Sequence, residues 1–152
     1  MAHYLRRKHE GVFHDDGTAY TKEEFKETLT PGNAWKALES FYDFAYDEKI
    51  KTLNEIFVRR LKVILEVFDT QSRYLIYGSS LLFTYDAMAV RKFINGKLSS
   101  GELEPFVKVK LIDFAFVYEA DGEKNEHFLS GLRNIISLFE CFPNNMQGAK
   151  KL

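Results

Sequence analysis

Apolar residues at helical spacing form the clearest pattern in the sequence. From about Asp47 to Phe68 they recur every three or four positions, while lysines and arginines lie largely off that stripe. This pattern predicts a long amphipathic helix. The same spacing predicts a shorter helix over about residues 33–45 and a last helix from about Asn125 to Phe142, which Pro143 should end.

Three further segments have the composition of strands. Residues 73–77 and 81–85 are rich in aromatic and aliphatic side chains and flank Gly78-Ser79-Ser80, which predicts two strands, or one strand pair with a kink. Residues 107–113 alternate apolar and charged side chains before a continuous apolar run. We therefore expect a strand there that delivers the Asp113 carboxylate to a sheet edge.

Turn-forming residues mark the rest of the chain. The turn Asp15-Asp16-Gly17 predicts a strand pair over residues 12–20, followed by a short helix over residues 21–29. Residues 86–105 contain Asn-Gly, Ser-Ser-Gly and a proline, which predicts a variable, mobile loop. Together these elements predict an α+β fold, a small antiparallel sheet packed by helices, in a single domain over residues 1–152.

Composition narrows the class of protein. The chain has 152 residues, 45% of them hydrophobic and 28% charged, as in globular proteins. With 21 Lys plus Arg against 22 Asp plus Glu, the net charge of −1 argues against a globally basic nucleic-acid binder. No signal peptide or membrane span is expected. The lone cysteine, Cys141, excludes an internal disulfide and a Cys-rich zinc site, and predicts an inert, half-buried thiol in the cytoplasm or nucleus.

Several catalytic classes lack their motifs. The sequence has no Walker-type phosphate loop, none of its 9 glycines stand in G-x-G spacing, and there is no G-x-S-x-G elbow. Its 4 histidines show no H-x-x-x-H pairing, which argues against a histidine zinc site.

Two places remain that could carry chemistry. Asp113, at the end of a strand, could hold Mg²⁺, which keeps water and phosphate oxygens as its other ligands. Ser79 and Ser80, directly after Gly78, could bind a phosphate or a metal-bound water. Taken alone, each place also fits a plain turn: an aspartate that caps it, or serines that form it.

Three blocks follow one another along the chain: Tyr-Gly-Ser-Ser-Leu-Leu at 77–82, Leu-Ile-Asp-Phe-Ala at 111–115 and Phe-Leu-Ser-Gly-Leu at the start of 128–136. In this order they resemble the inositol polyphosphate kinase family, which includes multikinases, hexakisphosphate kinases and trisphosphate 3-kinases. Residues 77–82, Tyr-Gly-Ser-Ser-Leu-Leu, resemble its S-S-L-L segment. Residues 111–115, Leu-Ile-Asp-Phe-Ala, resemble its I-D-F-A strand, and residues 128–136 resemble its Y-L-x-G-L helix. The resemblance covers nearly the whole chain and implies the C-terminal lobe of a protein-kinase-like or ATP-grasp-like fold.

The resemblance also implies an activity. The family transfers the γ-phosphate of ATP to an inositol phosphate, with ATP and Mg²⁺ as cofactors. Asp113 would be the catalytic metal ligand, Ser80 would assist the same metal or phosphate, and Ser79 would lie beside them in the nucleotide site. Basic residues suit a polyanionic substrate, and Arg6, Arg7 and Lys8 are the first candidates, ahead of a second cluster at residues 59–62.

The sequence also departs from the family pattern. The P-x-x-x-D-x-K-x-G motif and the N-terminal lobe with its ATP-contacting lysine are absent. Phe116 stands where many members have His, and Asn125 where the last helix is usually preceded by Asp, which removes a negative charge near the expected metal. The alternative is therefore a catalytically incomplete lobe or pseudokinase, a binding module to which a partner chain would supply the missing lobe.

Overall fold

The structure, a computed structural model, describes residues 34–42 and 48–149. The chain divides into two compact units, Met1–Ala45 and Tyr46–Leu152. The described part of the first unit contains helix α1, Trp35–Phe41, which lies within the segment predicted to be helical. The predicted strand pair over residues 12–20 and the helix over residues 21–29 lie outside the described residues, and the single domain stays a prediction.

Two long helices form the centre of the second unit. Helix α2, Glu48–Thr70, confirms the longest amphipathic prediction. Its buried stripe packs against β3 and against the last helix, α5, Glu126–Ala149. The predicted end of that helix at Pro143 is wrong, because the helix continues to Ala149. Cys141 on this helix is exposed, so the predicted half-buried thiol is also wrong: the buried positions in this turn of the helix are Phe139 and Phe142.

The strands form two separate antiparallel pairs. Strands β1, Tyr74–Tyr77, and β2, Ser80–Tyr85, confirm the two predicted strands, but they do not pair with each other. Strand β2 pairs with β3, Val107–Ile112, which confirms the alternating segment. Strand β1 pairs with β4, Phe116–Glu119, which the sequence pattern did not predict. The α+β class with small antiparallel sheets is confirmed.

The segment between β2 and β3 is helical, so the loop predicted over residues 86–105 is wrong. It contains α3, Ala87–Ile94, then α4, Ser100–Leu103, and a 3₁₀ turn over Glu104–Phe106. Helix α3 begins because the Asp86 carboxylate accepts the backbone N–H groups of two residues in its first turn, at 2.8 and 3.0 Å. Helix α4 begins with a reciprocal capping box between Ser99 and Glu102.

An aromatic cluster joins the helices to the sheet. The ring centroid of Phe57 on α2 lies 5.8 Å from that of Phe83 on β2 and 5.7 Å from that of Phe139 on α5. The rings of Phe83 and Phe139 are stacked, with their centroids 5.2 Å apart. Such pairs add to the free energy of burial through their ring geometry. No helix in the described part of the chain is long and apolar enough to cross a membrane.

Candidate metal and phosphate site

The two strand pairs are halves of one ribbon that is broken at a single place. The β2–β3 ladder ends at the pair Ser80–Ile112, and the β1–β4 ladder resumes at Tyr77–Phe116. Between these pairs, two residues on one side (78 and 79) face three on the other (113–115), so the register changes by one residue. This count is that of a β-bulge, which bends a strand and redirects its side chains.

Both predicted sites lie at this break, with Ser80 in the ladder pair that borders it. Asp113 is the first residue after β3 and has a φ of 64°, in the left-handed region that aspartate tolerates better than most residues do. Gly78 opposite has a φ of 66°. The break therefore uses two left-handed residues, one of which carries an exposed carboxylate.

Two consecutive serines lie across the ribbon from the Asp113 backbone. Ser79 and Ser80 are buried residues, 7% and 8% exposed, and Ser80 pairs with the residue that precedes Asp113. An exposed carboxylate and two serine hydroxyls, on residues that are neighbours across the break, are oxygen groups of the kind that Mg²⁺ takes while it keeps further oxygens from water or phosphate. No group of three or more His, Cys, Asp or Glu among the described residues could hold a metal by itself. A cation here would therefore take further ligand oxygens from water or from a bound phosphate.

The outer edge of β1 is closed by two side-chain amides. Gln71 Nε2 donates to the Tyr74 carbonyl at 2.8 Å, and Asn125 Nδ2 donates to the Ile76 carbonyl at 2.9 Å. Alternate carbonyls of a strand point to the same edge, so the amides stand where a further strand would pair. Neither side chain was predicted to do this, although Asn125 was singled out as a departure from the family pattern.

Aromatic side chains lie beside the turn at Gly78 and along the β1–β4 pair. A Cβ atom placed on Gly78 would lie 3.5 Å from Cδ2 of Phe116, so the Phe116 ring rests against this turn. Tyr77 and Tyr118 on the same ribbon make an edge contact at 6.0 Å. These three rings remain about half exposed, at 56%, 47% and 55% respectively.

The basic clusters do not join this site among the described residues. Arg6, Arg7 and Lys8 lie outside the described residues. In the second cluster Arg59 bonds Glu104, Arg60 lies 4.0 Å from the same carboxylate, and Lys62 lies 2.7 Å from Glu140. These cations are paired with carboxylates, which weakens the case for a second polyanion-binding cluster.

Solved structures match this fold. The multikinase Ipk2 from S. cerevisiae in complex with ADP and Mn²⁺ aligns with a TM-score of 0.61 and 21% identity, over 76% of this chain and 48% of that chain. A second inositol phosphate multikinase structure aligns with a TM-score of 0.56 and 18% identity, over 85% of this chain and 57% of that chain. At these identities the likeness establishes the fold.

Sequence comparison identifies the family. Inositol polyphosphate multikinase IPK2 of Oryza sativa is 39% identical over 77 residues, 51% of this chain and 24% of the relative. Inositol hexakisphosphate kinase 3 of Mus musculus is 34% identical over 98 residues, 57% of this chain and 24% of the relative. The inositol polyphosphate kinase family matches residues 7–140, and the chain belongs to this family. It spans about a quarter of the length of these curated relatives.

Proposed function

We propose that this chain carries the metal- and phosphate-binding part of an inositol polyphosphate kinase, which transfers the γ-phosphate of ATP to an inositol phosphate. The observation that supports it is the broken ribbon, in which Asp113 follows the strand residue that pairs with Ser80 and lies across the break from Ser79. Family membership supports the reaction class, and the cytoplasm or nucleus is the compartment that goes with it.

The proposed roles follow from the donor set. Asp113 would hold Mg²⁺ through its exposed carboxylate, and the Ser80 hydroxyl would contact the same ion or a phosphate oxygen, with Ser79 beside it. When bound, the ion neutralises charge on the phosphate groups. The contribution of the chain is to fix these oxygens in place before the substrate arrives, since phosphoryl transfer depends mainly on positioning and electrostatics. Arg6, Arg7 and Lys8 remain the proposed contacts to the inositol phosphate.

A binding module without turnover is the second candidate. Asn125 favours it, because this buried amide offers the proposed metal no negative charge. A partner chain that supplies the remaining lobe would restore a complete kinase site.

ATP turnover by the purified chain with several inositol phosphates tests the proposal. The most informative variant is Asp113→Asn, because asparagine has the same size and also tolerates a positive φ. Asp121→Asn is the matched control: Asp121 is exposed, has a φ of 44° and follows the far end of β4. We expect Asp113→Asn to lower turnover at least about 100-fold, as for the loss of one electrostatic contact to the transferring group, and the control to leave turnover unchanged.

Calorimetric titration with ATP and Mg²⁺ separates the two candidates. Binding without turnover supports the module, and gel filtration then tests for a partner. Turnover that is equal in wild type and Asp113→Asn refutes the assigned role of Asp113.

A further inference from the structure

We infer that Asn125 is a positioning residue for the broken ribbon, and that its carboxamide makes a contact there that a carboxylate cannot make. The inference about ion binding rests on the function proposed above. The structural observation behind it is independent of that function: one buried side chain joins β1 to the start of α5 through two different atoms.

The two hydrogen bonds require both halves of the amide. Asn125 is 2% exposed. Its Nδ2 donates to the Ile76 carbonyl at 2.9 Å, and its Oδ1 accepts the Phe128 backbone N–H at 3.2 Å, three residues on. The second bond is a helix N-cap, which Asp or Ser could also make. The first bond needs an N–H donor, which an ionised carboxylate does not have.

The donor acts close to the candidate site. Ile76 is followed by Tyr77, which pairs with Phe116 on the β4 side of the break, and by the left-handed Gly78 that leads to the two serines. Asp113 is the first of the three residues that face Gly78 and Ser79 across the break, and Phe116 follows the last of them. The hydrogen bond from Asn125 to the Ile76 carbonyl therefore fixes the end of β1, which borders the break, to the start of α5.

The variant Asn125→Asp distinguishes two roles for this position. In one, residue 125 positions β1; in the other, position 125 is a metal-ligand position in the family that has lost its carboxylate here. Aspartate keeps the shape and the N-cap acceptor but sets a buried negative charge against the Ile76 carbonyl oxygen. If position 125 served the metal directly, the new carboxylate would strengthen cation binding. If it positions β1, the same change loosens the break and weakens cation binding.

The experiment measures Mn²⁺ binding in the presence of ADP by electron paramagnetic resonance, together with amide hydrogen exchange, on the full chain. Asn125→Ser is a neutral second variant that retains an N-cap oxygen. Asp86→Ala removes the N-cap of α3 and controls for loss of a helix cap elsewhere. We expect Asn125→Ser to weaken Mn²⁺–ADP binding and to speed exchange at Ser79, Ser80 and Asp113 by about tenfold, the effect of one lost buried hydrogen bond. Asn125→Asp should change both quantities in the same direction by at least as much, because it also buries a charge. The control should change neither quantity.

Each outcome is decisive. Unchanged or tighter Mn²⁺–ADP binding in Asn125→Asp overturns the inference, as does unchanged exchange at the break in both Asn125 variants. If the wild-type chain binds no Mn²⁺–ADP, the proposed function fails, while exchange at the break still decides whether Asn125 positions it.

Discussion

Helix α5 continues past Pro143, and a side chain from another helix explains how. Proline has no N–H, so the carbonyl four residues earlier, that of Phe139, loses its usual helical donor. Asn54 of α2, which is 2% exposed, donates its Nδ2 to this carbonyl at 2.6 Å. The buried asparagine thus replaces the missing backbone donor.

Asn54→Leu tests this account, since leucine is close in size and removes the donor. The Phe139 carbonyl would then be buried without that partner, which should lower the free energy of unfolding by about 1–3 kcal/mol. In a Pro143→Ala background, residue 143 regains an N–H that can reach the same carbonyl. In the Pro143→Ala background, Asn54→Leu should therefore lower the free energy of unfolding by about 1 kcal/mol less than it does in the wild-type chain, which is the net contribution of one hydrogen bond.

Urea unfolding of the four proteins in this double-mutant cycle provides the measurement. Asn134→Leu, at an exposed position of α5, is the control and should change stability by less than about 0.5 kcal/mol. An Asn54→Leu penalty that is equal in the wild-type and Pro143→Ala backgrounds would refute the proposed substitution of one donor for the other.

Two further predictions concern local geometry. Gly78→Ala should destabilise the chain by at least about 1 kcal/mol because of the positive φ of 66°, since its nearest contact, Phe116 at 3.5 Å, is an ordinary one. Gly131→Ala, in α5 with nothing within 4 Å of the added Cβ, should instead stabilise by about 0.5–1 kcal/mol. Unfolding midpoints of the two variants that shift in the same direction would contradict one of these two predictions. Hydrogen bonds from the backbone N–H and the hydroxyl of Ser99 lower the pKa of Glu102 below its usual 4.5. The ionised Glu102 therefore stabilises the start of α4 fully above pH 4.5, and this stabilisation is lost as the pH falls through the lowered pKa. Ser99→Ala leaves the backbone bond and should raise the Glu102 pKa part of the way back, which carboxyl NMR titration checks; an unchanged pKa would rule out the hydroxyl's role.

The spacing of apolar residues correctly predicted the helices and strands that bury one face along most of their length. Helix α2 and strand β3 are of this kind, since their patterns match the buried positions. The helices α3 and α4 were missed because Gly, Ser and Pro in the segment suggested a loop. The capping signals were nevertheless present, in Asp86 and in the Ser99-x-x-Glu102 box.

Features that depend on distant residues could not be predicted from local sequence. Strand β4 has four exposed residues and no alternation, so only its pairing with β1 defines it. The donor that lets α5 pass Pro143 comes from Asn54, 85 residues before the carbonyl that it meets. Asp113 and Ser80 were identified from a strand end and a turn, and the family motifs then supported them, but the change of register between the two ladders depends on pairings that local sequence does not give.

The broken ribbon predicts a conflict between stability and function at Asp113. Its left-handed backbone is unfavourable for an L-residue, by about 1 kcal/mol or more, and is held in place by the ladders on either side. Asp113→Gly relieves this strain and removes the carboxylate. We therefore expect the variant to unfold no more easily than wild type, within about 0.5 kcal/mol, and to lose Mn²⁺–ADP binding. A loss of more than about 1 kcal/mol in urea unfolding would mean that the Asp113 side chain stabilises the fold, and that the break is not maintained for a ligand.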